Sequence, residues 1–86
     1  MRRAEDLMQK IERVQTGVRI EKRILKVLKA LAAEKEMTLG DLLEGIVLHS
    51  FDGKPPFNEE TLAFIKTMKS SFNLDLVEKD SHKMDE

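Results

Sequence analysis

The chain has 86 residues, no Cys, 36% charged residues and a formal net charge of −1. So short a chain is one small domain, marginal on its own core, with neither a disulfide framework nor a thiolate metal site to support it. No run approaches the roughly 18 apolar residues that cross a bilayer, and no apolar stretch follows Arg2-Arg3, so no membrane association and a cytoplasmic location are expected.

Oligomerisation is then the remaining common device for stability. The charge is also uneven. Residues 1–35 carry ten Lys/Arg against five acids, and residues 36–86 carry five Lys against eleven acids. A basic front half in a near-neutral chain is the footprint of a localised polyanion-binding face.

In chain order, Ala4, Leu7, Met8, Ile11 and Val14 recur at helical spacing, which predicts an amphipathic helix or arm over residues 1–14. Thr16-Gly17 breaks it. Gln15–Ile20 then alternates, with Val18 and Ile20 on one side and Gln15, Gly17 and Arg19 on the other, which predicts a short strand. Nothing else in the chain offers that strand a partner, so its mate would come from a second copy.

From Glu21 to about Lys35, Ile24, Leu28 and Leu31 define a helical stripe flanked by Lys22, Arg23, Lys26 and Lys29. Glu21 opens this helix without a short polar cap, and Glu36 stands where a left-handed Gly or Asn would usually close it. Thr38 is a good N-cap for a second helix whose apolar residues are Leu39, Leu42, Leu43, Ile46, Val47 and Phe51, with Leu48 beyond the stripe. Gly40 and Gly45 weaken that helix, and the close approach of another backbone or a phosphate would account for them. Asp52-Gly53-Lys54-Pro55-Pro56 is a break. Asn58 caps a third helix with the stripe Leu62, Ile65, Met68 and Phe72 and with Phe64 alongside. The divisions expected are an arm at 1–14, a core at 15–52, a C-terminal helix and extension at 57–74, and a disordered tail at 75–86.

The order strand, helix, turn, helix over residues 15–51 resembles the ribbon-helix-helix repressors, the class of Arc and the methionine repressor. Val18-Arg19-Ile20 carries the resemblance, then Leu25, Leu28 and Ala32, the segment Ala33–Thr38, and Leu39-Gly40-Asp41-Leu42-Leu43. It implies a mostly α dimer in which two antiparallel strands form a ribbon that enters the major groove. Gln15, Gly17 and Arg19 would then face the bases, Arg19 being able to bridge guanine O6 and N7. Thr38 and the amides of Leu39 and Gly40 would face a phosphate, and Lys22 and Arg23 are further candidate phosphate contacts. Val18, Ile20, Leu28, Leu42, Leu43, Ile46 and Val47 are the expected dimer interface.

The expected function is a homodimeric DNA-binding repressor or antitoxin-type regulator. The alternative is a helical oligomeric adaptor that binds no nucleic acid. The third helix and acidic tail would dock a protein partner or extend the dimer to a tetramer. No cofactor, metal site or enzymatic activity is expected. His49-Ser50 with Asp52 lacks the spacing of a catalytic triad, because helix neighbours point in different directions. His82 with Asp80, Asp85 and Glu86 resembles a metal cluster in composition alone.

Overall fold

A computed structural model describes residues 10–81. They form three α-helices of 13 residues each: α1 (Lys22–Glu34), α2 (Leu39–Phe51) and α3 (Glu59–Ser71). A single 3-10 turn at Glu78–Asp80 follows. Among the described residues no helix is long and apolar enough to cross a membrane.

Each helix begins on a side chain that accepts the amides its first turn leaves open. Thr38 Oγ1 accepts the Asp41 N–H at 3.0 Å, and Asn58 Oδ1 accepts the Thr61 N–H at 2.8 Å. α1 starts without a short polar cap, and Glu21 does the capping instead. Its carboxylate accepts the N–H groups of Arg23 and Ile24 at 2.8 and 3.1 Å, a longer side chain reaching the same donors.

The three helices also end alike. Glu36 (φ 56°), Gly53 (φ 71°) and Asn73 (φ 57°) are all left-handed. After each of them one amide reaches back five residues: Met37 N to Ala32 O at 2.9 Å, Lys54 N to His49 O at 2.8 Å, and Leu74 N to Lys69 O at 2.8 Å. This is the Schellman closure, which satisfies carbonyls that the helix cannot.

α1 is central. It packs against both α2 and α3, whereas no Cα of α2 comes within 8 Å of one in α3. Val27, Leu31, Ala32 and Leu42 are buried, Leu31 at 2% exposure, and Leu28, Ile46, Phe57, Phe64 and Ile65 pack against the cluster that Leu31, Ala32 and Leu42 form. Of the apolar stripe of α3, Ile65 packs against this core, Met68 and Phe72 are half-buried, and Leu62 is exposed.

Two irregular segments flank the bundle. After α3, residues 74–81 return along α1 and α3 as a strap, with Leu74 and Leu76 half-buried. Asp80 accepts the Val77 N–H at 2.9 Å, and the Arg23 guanidinium donates to the Asn73 carbonyl at 3.0 Å and to Asp75 Oδ1 at 3.2 Å. Residues 75–81, the first part of the tail expected over 75–86, hold this turn and these contacts; residues 82–86 lie outside the described part. Before α1, residues 10–20 have neither helix nor strand. Of the helix or arm expected over 1–14, residues 10–14 are not helical, and residues 1–9 lie outside the described part.

The ribbon-helix-helix expectation is corrected as well. That fold needs a β-ribbon, and the described residues contain three helices and no strand. Gln15–Ile20 alternates in sequence, but a strand exists only through a paired ladder. Residues 10–20 make no backbone hydrogen bond among the described residues. What remains of the resemblance is two helices joined by a short turn, an arrangement many helical proteins share.

Candidate nucleic-acid interface

The segment before α1 passes the N-terminal end of α2 and leaves an open cleft of about 820 Å³. Gln15, Gly17 and Arg19 line it from one side, and Leu39, Gly40 and Leu43 line it from α2. Five residues singled out in the sequence as nucleic-acid contacts thus share one surface depression, although they come from segments 20 residues or more apart in the chain.

The polar groups in this cleft differ in how committed they are. Arg19 and Gln15 are exposed and have no hydrogen bond or ion pair among the described residues. The N–H groups of Leu39 and Gly40 are also without an acceptor there, since Thr38 Oγ1 takes the N–H of Asp41 instead. Two open amides at the start of a 13-residue helix, together with its dipole, favour an anion. The Asp41 carboxylate in the same turn works against one. A Cβ added at Gly40 would meet only Thr38 Oγ1, at 3.9 Å, and one at Gly17 or Gly45 would meet nothing within 4 Å. Among the described residues no other backbone approaches these glycines closely, so the space beside Gly17 and Gly40 is open there.

Glu44 also borders the cleft, but Arg13 occupies it. The Arg13 guanidinium donates Nε–H and Nη2–H to the two Glu44 oxygens at 2.8 and 2.9 Å. This fork holds the Glu44 carboxyl below the ordinary carboxylate range and raises the Arg13 guanidinium, in both cases mainly through the hydrogen bonds. The pair pins residues 10–20 to α2 from positions 31 apart.

Of the cations expected to meet phosphate, Lys22 is exposed and unpaired among the described residues. Arg23 is not available. Its guanidinium bonds Glu21 at 2.9 Å as well as Asn73 and Asp75, which raises its pKa and lowers that of Glu21, the Glu21–Arg23 hydrogen bond being the largest cause for both. Lys22, Lys26 and Lys29, at spacings of four and three, lie along one side of α1. Lys26 stands over the Phe72 ring at 5.8 Å, and Lys29 is exposed and unpaired among the described residues.

The expected dimer interface divides in two. Leu42 of α2 is buried in the chain's own core, and half-buried Leu28 of α1 and Ile46 of α2 pack against it. Val18 is 72% exposed, Val47 is exposed, and Ile20 and Leu43 are half-buried. The sequence reading missed how far apolar exposure extends: Ile11, Val14, Leu48 and Phe51 are all exposed, Phe51 at 79%. Ile11 and Val14 line a groove with Leu43, Val47 and Leu48.

His49 sits in the last turn of α2 with Nδ1 at 2.8 Å from the Gly45 carbonyl, a contact within its own helix. Of the acid and histidine group near the C-terminus, Asp80 lies in the strap, while His82, Asp85 and Glu86 fall outside the described residues. No protein-family model matches the chain, and no curated protein or solved structure shows significant similarity to it.

Proposed function

We propose that this chain is a DNA-binding protein that works as a homodimer, a regulator of the repressor or antitoxin type. The reading uses no β-ribbon. It rests on the cleft in which uncommitted Arg19 and Gln15 stand beside the open amides of Leu39 and Gly40. In it, Arg19, helped by Gln15, contacts base edges. Lys22 and the two amides take phosphates, which position the protein without reading sequence. The exposed apolar residues Ile11, Val14, Val18, Val47 and Leu48 support self-association, because a small domain with so few buried side chains among the described residues gains stability by covering them.

The test is duplex binding followed by fluorescence anisotropy at two salt concentrations. Affinity is expected to fall with salt at a log–log slope of about −0.9 for each phosphate neutralised. Arg19→Ala is expected to cost roughly 1–3 kcal/mol on a preferred site and to relax discrimination, whereas Lys22→Ala weakens all sequences alike. Equal, salt-insensitive or absent binding to every duplex overturns the reading.

A second reading is a helical oligomeric adaptor that binds no nucleic acid. The exposure of Leu48 and Phe51 beside the groove on α2 favours it. Self-association in light scattering without retention on a polyanion column at low salt selects this reading over the first.

A further inference from the structure

The strap over residues 74–81 does not close down on the bundle. Between it and α1 and α3 lies a cavity of about 370 Å³, lined chiefly by apolar side chains such as Ile24, Leu28, Ile65, Leu74 and Leu76. That volume is at the lower end of sites that hold small molecules, roughly 300–1,000 Å³. Its polar edge consists of Lys69, Glu78, Asp80 and Ser81.

Three of these groups are already engaged or turned to water. The Asp80 carboxylate accepts the Val77 N–H, the Ser81 hydroxyl donates to the Glu78 carbonyl at 2.7 Å, and Glu78 is exposed. Lys69 is different. It is half-buried at the end of α3, and its ammonium has no hydrogen bond or ion pair among the described residues. An apolar cavity with one uncommitted cation at its rim complements an apolar chain that ends in an anion.

We propose that this cavity binds a medium-chain carboxylate. The hydrocarbon chain, about eight to ten carbons long to suit so small a site, lies among Ile24, Leu28, Ile65 and Leu76, and the carboxylate meets the Lys69 ammonium. The site is separate from the DNA-contacting cleft and stands whether or not the chain binds DNA.

Calorimetric titration of the full chain with octanoate, decanoate, decanol and decylamine, each below its micelle concentration, tests this. Affinity is expected to rise about fourfold per added methylene, so decanoate binds roughly fifteenfold tighter than octanoate. Decanoate is expected to bind at least tenfold tighter than decanol. Lys69→Met should bring decanoate down to the level of decanol. Val77→Trp, at an exposed position on the cavity mouth, should block both without touching the core. No decanoate binding by the unaltered chain, equal or tighter binding of decylamine, or undiminished decanoate binding by both variants overturns the proposal.

Discussion

Glu36 carries backbone strain in plain view. It holds φ 56° with a Cβ and a charged side chain, where its counterpart after α2 is Gly53 at φ 71°. A left-handed residue with a Cβ costs roughly 1–2 kcal/mol, which glycine avoids, although glycine also loses more chain entropy on folding. Glu36→Gly is therefore expected to raise stability by about 1 kcal/mol and the melting temperature by about 4–8 °C, measured by calorimetry. An unchanged or lower melting temperature would show that the strain is relieved in some other way. This position was legible in the sequence, because a helix ending at Lys35 before a Thr38 cap leaves no other place for the reversal. The capping role of Glu21 was not: it depends on a long carboxylate folding back on its own helix.

At the level of elements, the three helices could be read from apolar spacing and from the caps Thr38 and Asn58, since both signals are local. Gln15–Ile20 could not. Alternation is necessary for a strand, but pairing decides it, and pairing is not a property of six residues. Arg13 and Glu44 were equally hidden, because nothing in sequence distinguishes one exposed ion pair 31 residues apart from any other. Their pairing has a pH consequence. The Glu44 carboxyl is held below its ordinary value, so the attachment of residues 10–20 to α2 is complete above the ordinary carboxylate pKa of about 4.3. It is lost as pH falls through the depressed value. The mobility of residues 10–20, followed by NMR relaxation, is expected to increase in acid before α1 and α2 respond. Glu44→Gln should release the same segment at neutral pH, seen as faster tryptic cleavage after Arg13 and Arg19. Cleavage at an unchanged rate would mean that apolar contact, not the ion pair, holds the segment.

For the whole molecule the imbalance is between inside and outside. Val27, Leu31, Ala32 and Leu42 are buried, while Ile11, Val14, Val18, Val47, Leu48 and Phe51 remain exposed. If a second copy covers that surface, as the homodimer reading holds, the melting temperature is expected to rise with protein concentration. Leu48→Glu should abolish that rise while the helix content below the transition stays the same. A melting point independent of concentration across a hundredfold range would exclude self-association as a source of stability. The sequence could not say which face of the broadly apolar helix α2 meets α1, and the structure places Leu42 and Ile46 on that face.

The arrangement of the helices also limits how distant parts of this protein can influence one another. The Arg19 cleft adjoins the start of α2, and Lys69 lies at the far end of α3, yet the backbones of α2 and α3 never come close. Communication between those two ends therefore has two routes, the side chains that α2 and α3 both pack against α1 and the chain between residues 52 and 58 that joins them. Leu31, the most enclosed side chain, lies in the cluster that the first route crosses.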